Sequence, residues 1–166
     1  MSLSITNSLT LRVYYNNYNS LVKTSNRKDA TTGTLSMADA SALRNAVRKL
    51  QDFDFEEASE SQVQEKLKAF ADTINYTISS AQKYGSNNTA VKNAANNIKN
   101  LNAQYESELK KIGISIDSDG TLSVYDSAAK NFKRERFTKF FDKENQYLND
   151  LYTNARKITR KVDVRI

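Results

Sequence analysis

The sequence predicts a mainly α-helical fold: an antiparallel helical hairpin or bundle, one small β-hairpin at about residues 114–124, and a helix at each terminus. Two observations carry this prediction. The 166 residues include no proline and four glycines, the two residue types that most often end a helix. Apolar residues recur at spacings of three and four along most of the chain, which is the period of a helix that buries one side.

The stretch from Leu109 to Val124 departs from the helical pattern. Gly113 follows an amphipathic run, and a glycine there can adopt the left-handed conformation that ends a helix. Two short alternating segments flank a polar turn that contains Asp119-Gly120. Asp-Gly is typical of tight hairpin turns in which both central residues have positive φ. The sequence therefore predicts a helix end followed by a hairpin of about four or five residues per strand.

The two longest predicted helices span residues 62–84 and 89–112, with Ser59 or Ser61 as the cap of the first. They are joined by Gly85 and a short polar connection, and a connection this short makes consecutive helices antiparallel neighbours. The predicted seam between them consists of Val63, Leu67, Phe70, Ile74, Ile78, Ile98, Leu101, Tyr105 and Leu109.

The chain divides into two predicted parts. Residues 1–34 comprise an N-terminal helix at about residues 8–24 and a flexible polar joint at residues 25–34. Residues 35–166 form a helical domain that contains the β-hairpin and ends in a basic C-terminal helix.

Three further helices are predicted inside the second part. Ser36 precedes an apolar stripe and has a carboxylate three residues on, so a helix is expected from Ser36 to about Phe53. After the hairpin, Asp126 or Ser127 can cap a short helix. Asp142 can cap the last helix of the chain.

Residue types needed for the commonest catalytic sites are missing. The chain has no histidine and no cysteine, which removes Ser-His and Cys-His nucleophile pairs and the commonest ligands of transition metals. Its glycines end helices and turns and form no phosphate-binding loop. We therefore predict no enzyme, no catalytic residue, no metal, no cofactor and no small-molecule substrate.

Two groups of carboxylates have the composition of a catalytic or metal-binding site, but each has a simpler structural interpretation. Residues 52–60 hold five carboxylates in a predicted connection between helices, where acidic residues suit water and the start of the next helix. Phe53 and Phe55 are expected to anchor this loop. Asp117 and Asp119 lack the following glutamate that closes a calcium loop. We interpret the first group as a solvated loop and the second as a hairpin turn.

The net charge of +6 comes from the last forty residues. Residues 127–166 hold eleven Lys/Arg and five Asp/Glu, whereas residues 1–126 hold fourteen of each. A basic segment suits nucleic acid, an anionic surface or an acidic protein partner. No signal-peptide pattern or membrane-span pattern is recognised in the sequence.

Each end of the chain carries a narrow apolar stripe on a short predicted helix. Such a helix is marginal in water unless it packs against something. Either these ends pack within the chain, the N-terminal helix on its own domain or the two ends on each other, or, together with two arginines beside the C-terminal stripe, they bind a protein partner or a second copy of the chain. The predicted interaction residues are Leu11, Tyr14, Tyr18, Leu21, Leu151, Ala155, Arg156, Ile158, Arg160 and Val162.

The run from Phe70 to Val124 resembles the C-terminal region of the bacterial flagellar filament-cap (hook-associated) protein. In that family a long helix and a second helix ending in Ile-Gly-Ile precede a hairpin that turns at Asp-Gly-Thr-Leu, and a helix then begins at an acidic residue. The matching residues here are Ile112-Gly113-Ile114, Asp119-Gly120-Thr121-Leu122 and Asp126.

The N-terminal residues Ser4–Ser8, followed by Tyr14–Asn19, are similar to the start of hook-filament junction proteins and flagellins. Such axial proteins assemble through helical ends and are exported without a cleaved signal. The resemblance therefore implies an exported, flagellum-associated bacterial protein, and without it we expect a cytoplasmic one. The family's large β-rich insertions have no counterpart in this sequence.

Two functions remain open. The first is a non-enzymatic structural or interaction protein, a flagellar-axial-like subunit or adaptor that docks through its helical termini. The alternative is a nucleic-acid or anionic-surface binding protein that uses residues 130–143 and 156–165. Four interleaved aromatic residues could then stack on bases, but their spacing is that of core residues and the final helix keeps an apolar stripe. These four are Phe132, Phe137, Phe140 and Phe141.

Overall fold

A computed structural model of the chain describes Arg27 and residues 30–162. In this part of the chain there are seven α-helices, one short 3-10 helix and one two-stranded antiparallel sheet. In order they are α1 (Thr32–Gln51), α2 (Glu60–Tyr84), the 3-10 helix (Gly85–Asn87), α3 (Thr89–Gln104), α4 (Glu106–Lys110), β1 (Ile114–Ile116), β2 (Leu122–Val124), α5 (Ala128–Asn131), α6 (Arg134–Phe140) and α7 (Gln146–Lys161). The predicted mainly α fold with one small hairpin is confirmed.

The predicted antiparallel pair is present as α2 and α3. A reciprocal capping box starts α2, in which Gln62 N–H donates to Ser59 Oγ (3.2 Å) and Ser59 N–H donates to Gln62 Oε1 (2.9 Å). Asn88 caps the first turn of α3. The connection is so close that a Cβ on Gly85 would lie 2.8 Å from Lys92 Cβ, and any side chain there would force the backbone to shift.

The start of α1 differs from the prediction. Thr31 Oγ1 accepts a hydrogen bond from Thr34 N–H (3.2 Å), so the helix begins at Thr32 and not at Ser36. Both residues are good caps, and the sequence pattern favoured the wrong one. Residues 32–34 of the joint predicted at residues 25–34 therefore belong to this helix, and most of the remaining joint lies outside the described residues.

The second helix of the antiparallel pair is also shorter than predicted. It was expected to continue to residue 112, but α3 ends at Gln104 and a separate short helix, α4, follows. Tyr105 interrupts the helix at the place where its ring meets that of Tyr147, with 5.3 Å between the ring centroids. The break therefore coincides with a tertiary contact that the helical period could not reveal.

The β-hairpin pairs Ile114 with Val124 and Ile116 with Leu122. Each strand has three residues, so the predicted length of four or five was wrong. The strands are nevertheless those that the alternating pattern indicated.

The turn of this hairpin depends on one glycine. Gly113 and Gly120 have positive φ, 78° and 85°, as the helix end and the turn require. Asp119 has no positive φ, so the expectation that both residues of Asp119-Gly120 adopt positive φ is wrong. Gly120 N–H donates to Asp117 O (2.9 Å) and Asp117 N–H donates to Thr121 O (2.8 Å), which makes a three-residue loop with the glycine last.

Polar side chains fix the hairpin to the helices. Leu122 N–H donates to Asn75 Oδ1 and Asn75 Nδ2 donates to Leu122 O, both at 2.8 Å. Asn102 Nδ2 donates to Gly120 O (3.2 Å), and the buried Tyr147 hydroxyl donates to Asn102 Oδ1 (2.8 Å). One asparagine of α3 therefore joins the hairpin to α7.

The last helix begins after Asn145 and not at Asp142. Asn145 Oδ1 accepts from Leu148 N–H (3.2 Å), whereas Asp142 Oδ1 accepts from Glu144 N–H (2.8 Å) in the turn before. Ser127 precedes α5 as predicted, although its side chain makes no capping hydrogen bond. Asp and Asn are about equally good caps, so the sequence alone did not separate them.

One continuous hydrophobic core joins four helices, because α1 and α3 each pack against both α2 and α7. The predicted seam is buried except for Leu101 and Tyr105, which are half-buried at its edge. A second group of aromatic rings extends the core toward α6: Phe55, Phe70, Phe137, Phe140 and Phe141.

Candidate interaction surface

The predicted interaction residues do not form one surface. Leu11, Tyr14, Tyr18 and Leu21 lie outside the described residues. The C-terminal apolar residues were predicted to be interaction residues, but all four are buried against α1 and α3 of the same chain: Leu151, Ala155, Ile158 and Val162. The apolar stripe of α7 packs within the same chain, because α1 and α3 form a groove that α7 fills. Removing residues 155–166 would therefore delete part of the core.

Arg156 and Arg160 are exposed. Arg156 follows Tyr152 by four residues and precedes Thr159 by three, spacings that place these side chains along one side of α7. Arg160 follows Arg156 by four. Arg156 therefore neighbours the two residues through which α7 meets α1, and both arginines lie on the solvent side of that contact.

Tyr152 is at the centre of this contact. The guanidinium of Arg48 lies 4.4 Å from the centroid of the Tyr152 ring and that of Arg44 lies 5.3 Å from it, both from α1. Arg44 Nη2 also donates to Tyr152 Oη (3.3 Å), and Arg44 Nη1 donates to Thr159 Oγ1 (3.3 Å). We name Arg44, Arg48, Arg156 and Arg160, together with Tyr152, the basic face.

The electrostatics of Tyr152 reflect these neighbours. Hydrogen bonding from Arg44 is the largest influence and lowers the pKa of the Tyr152 hydroxyl below its usual value, and Arg48 acts in the same direction. Partial burial opposes this shift.

No carboxylate neutralises the basic face among the described residues. Helices α1 and α7 together hold seven Lys/Arg and two aspartates. Asp39 pairs with Arg27 (2.8 Å), and Asp150 accepts a hydrogen bond from Gln146 Nε2 (2.8 Å). The other ion pairs of the described chain lie elsewhere: Lys68–Asp126, Lys110–Glu106 and Lys143–Asp52.

The carboxylates of residues 52–60 form the solvated loop that was predicted. Phe55 is buried and Phe53 half-buried, which confirms that they anchor the loop. Asp54 Oδ1 accepts hydrogen bonds from the backbone N–H groups of Glu56 (3.0 Å) and Glu57 (3.2 Å). These bonds stabilise the loop itself.

Asp117 and Asp119 act within the hairpin turn, as interpreted from the sequence. Ser123 Oγ donates to Asp117 Oδ2 (2.6 Å), and Thr121 donates to Asp119 Oδ1 through both Oγ1 (2.6 Å) and its backbone N–H (2.9 Å). These bonds from Thr121 lower the pKa of Asp119. Within the described residues, no group of three or more His, Cys, Asp or Glu side chains is arranged to hold a metal ion.

The aromatic residues assigned to base stacking are mostly unavailable. Phe137, Phe140 and Phe141 are buried, and Phe141 stacks on Phe55 with 5.1 Å between centroids. Phe132 is half-buried below the guanidinium of Arg136, 5.5 Å from its ring centroid. Their burial therefore leaves no four-ring stacking platform, in agreement with the core spacing of these rings.

Sequence reasoning missed two members of the basic face. Arg44 and Arg48 stand four residues apart on the exposed side of the α1 stripe, which is a recognisable pattern. Tyr152 lies at the edge of the apolar stripe of α7 and is half-buried. Nothing local linked the arginines to Tyr152, because the contact joins residues 108 positions apart.

Among the described residues, none of the helices is long and apolar enough to cross a membrane. Comparisons with protein-family models, with curated proteins and with solved structures found no match for this chain.

Proposed function

We propose that this chain is a non-enzymatic structural or interaction protein whose basic face binds an acidic segment of a protein partner, as a flagellar-axial-like subunit or adaptor. The observation that carries the proposal is a row of arginines, two of them held on Tyr152, with no carboxylate beside them. Arginine forms bidentate hydrogen bonds with carboxylates, and a side chain already held in place loses less entropy on binding.

The proposed docking uses the charged side of α7 and not its apolar stripe. Charges at the rim of an interface set association rate and specificity more than affinity. A second copy of the chain can supply the acidic segment, because Asp54, Glu56, Glu57 and Glu60 are exposed on the loop of residues 52–60. Self-association of this kind joins two different surfaces and can extend beyond a dimer.

The arrangement around the hairpin supports a flagellar-axial setting. Helices α3 and α4 lead to Gly113, the hairpin turns at Gly120, and α5 begins two residues after Asp126. This is the order of elements that the resemblance implies. It supports the fold part of the resemblance and leaves the assembly as a proposal.

Binding of nucleic acid or of an anionic surface is the second candidate. The same unpaired arginines could bind phosphate, and the net charge of +6 favours anions in general. The burial of Phe137, Phe140 and Phe141 argues against single-stranded binding by stacking. A carboxylate-bearing partner therefore fits the surface better.

The proposal is tested with Arg156→Glu/Arg160→Glu in the full chain. The probes are a labelled synthetic peptide with the sequence of residues 52–60, a DNA duplex, and the chain itself in light scattering at low and high salt. Lys130→Glu/Lys133→Glu is the matched control, because it changes net charge equally at exposed positions outside the basic face.

The expected result is peptide binding and self-association at low salt, both lost in Arg156→Glu/Arg160→Glu and kept in the control. Equal loss in both variants would mean that net charge alone is responsible, and the basic face would be rejected. DNA binding without peptide binding would establish the second candidate in place of the first.

A further inference from the structure

The solvent-facing side of α3 carries no charge along its whole length. On a helical wheel, its exposed uncharged residues occupy one sector of about 140°. They are Thr89, Ala90, Asn93, Asn96, Asn97, Asn100, Ala103 and Gln104. The two lysines of α3, Lys92 and Lys99, lie outside this sector, toward one edge of the helix. We name the uncharged sector the amide face.

The exposed sides of the neighbouring helices have a different composition. Six of the ten exposed residues of α2 are charged, and so are four of the seven exposed residues of α7. In α3 only Lys92 is charged among nine exposed residues. Depletion of charged residues distinguishes the centre of a protein interface from the rest of a protein surface. The amide face therefore has the composition of an interface.

The asparagines of this face contribute little to the stability of the chain itself. Asparagine is a weaker helix former than glutamine, glutamate or lysine. The side chains of Asn93, Asn96 and Asn100 make no hydrogen bond within the described part of the chain. Asn97 Nδ2 donates one long hydrogen bond to Asn154 Oδ1 (3.4 Å). The amide groups of the face are thus available for hydrogen bonds to another molecule.

We infer that the amide face forms a dimer in which α3 of one copy packs antiparallel to α3 of a second copy. An asparagine side chain both donates and accepts hydrogen bonds, so a surface of amides is complementary to itself. A twofold interface requires this property, because the same surface serves both copies. The inference goes beyond the proposed function and is independent of the basic face.

The order of residues along α3 agrees with a twofold axis between residues 96 and 97. In an antiparallel pair with this axis, Asn93 of each copy meets Asn100 of the other. Thr89 and Gln104 meet in the same way at the two ends of the contact. Residues with hydrogen-bonding side chains therefore face each other along the whole length of the helix pair.

The size of the face predicts a weak dimer that does not depend on salt. A helix of 16 residues is about 24 Å long, and contact along one helix pair lies at the low end of specific interfaces. Ala90 and Ala103 stand at the flanks of the sector, where small side chains allow the backbones to approach. Because the contact contains no ion pair, salt should not weaken it. The dimer is therefore separate from the self-association at low salt that is attributed to the basic face.

Sedimentation equilibrium of the full chain, at about 0.15 M and about 0.5 M NaCl, tests the inference. The parent chain should dimerise at hundreds of micromolar with the same dissociation constant in both. Asn93→Glu/Asn100→Glu places like charges opposite each other and should weaken dimerisation about tenfold or more. Asn93→Glu/Asn100→Lys places opposite charges there and should restore dimerisation at the lower salt.

Ala69→Glu/Ser79→Glu is the matched control, because it adds the same charge at exposed positions of α2. It should dimerise as the parent chain does. Glutamate and lysine are better helix formers than asparagine, so circular dichroism should show that the bundle of each variant remains folded.

A parent chain that stays monomeric up to about 1 mM overturns the inference. An unchanged dissociation constant in Asn93→Glu/Asn100→Glu, or an equal loss in the control, also overturns it. No recovery in Asn93→Glu/Asn100→Lys rejects the antiparallel arrangement and the inference with it. Arg156→Glu/Arg160→Glu should leave the dimer at the higher salt unchanged, and its loss there would assign the contact to the basic face instead.

Discussion

The two basic stretches of the C-terminal part, residues 130–143 and residues 156–161, have similar composition but different surroundings. In the first, Lys143 pairs with Asp52 (2.8 Å) and the neighbouring Phe137, Phe140 and Phe141 are buried. In the second, the cations stand on the exposed side of one regular helix and have no carboxylate partner within the described chain.

This difference teaches that a cation next to an aromatic residue in sequence does not make a binding platform. The phenylalanines of the first stretch point into the core because their helical spacing directs them there. The tyrosine of the second, Tyr152, lies at the edge of its stripe, where two arginines from α1 can reach it. Position relative to the helical period decides which aromatic ring meets solvent.

The largest effect is expected from Phe141→Ala. Phe141 is buried and contacts the rings of Phe55, Phe70 and Phe140 at 5.1 to 5.3 Å between centroids. Its truncation should lower the free energy of unfolding by about 3–5 kcal/mol, measured by urea denaturation. Phe132→Ala is the control and should cost less, because Phe132 is half-buried. If Phe141→Ala left the free energy of unfolding nearly unchanged, Phe141 would again be a candidate for binding.

Ile158→Ala should cost about 2–5 kcal/mol, because Ile158 is fully buried between α7 and the rest of the core. Arg160→Ala, two residues away on the exposed side, should change the free energy of unfolding by no more than about 0.5 kcal/mol. Both are measured by the same denaturation. If Ile158→Ala were as mild as Arg160→Ala, the apolar stripe of α7 would be available to a partner after all.

Tyr147→Phe removes the hydroxyl that donates to Asn102 Oδ1 (2.8 Å). A buried acceptor is then left without its partner, and the expected loss of stability near neutral pH is about 1–3 kcal/mol. Asn102→Ala removes the acceptor instead and serves as the other half of a double-mutant cycle. Additive losses in the double variant would mean that the two groups do not interact.

The burial of Tyr147 also predicts that the stability of the fold decreases at alkaline pH. Burial raises the pKa of the Tyr147 hydroxyl in the folded state, whereas in the unfolded chain it ionises near its usual pKa of about 10. The stabilisation is therefore fully present below about pH 10 and is lost progressively as the pH rises above it. Tyr147→Phe should show a shallower alkaline loss in denaturation experiments, and an equal slope would contradict the assignment.

The smallest effect on folding is expected where binding is proposed. Arg156→Glu/Arg160→Glu should change the free energy of unfolding by no more than about 0.5 kcal/mol, since exposed charges contribute little to stability. Thermal denaturation of this variant beside Lys130→Glu/Lys133→Glu measures it. A large loss would show that the arginines stabilise the bundle, and a loss of partner binding could then not be attributed to the basic face.

Local signals predicted the antiparallel helices and the hairpin correctly. Ser59 with Gln62, the short connection at Gly85, and the positive φ of Gly113 and Gly120 all act over a few residues. Two of the boundaries that were wrong, the helix starts at Thr31 and Asn145, were choices between good caps a few residues apart. Cap chemistry narrows the position of a helix end, and packing selects among the candidates.

The sequence by itself determined the elements of the bundle and the excess of positive charge near its C-terminal end, because both depend on neighbouring residues or on composition. Only the tertiary structure decided that the apolar stripe of α7 belongs to the core and that Arg44 and Arg48 meet Tyr152. An apolar stripe on a helix indicates that this side of the helix is buried. Which elements bury it depends on how the other helices pack. In this protein α1 and α3 provide it, and the arginines of α7 are left on the opposite side to face solvent.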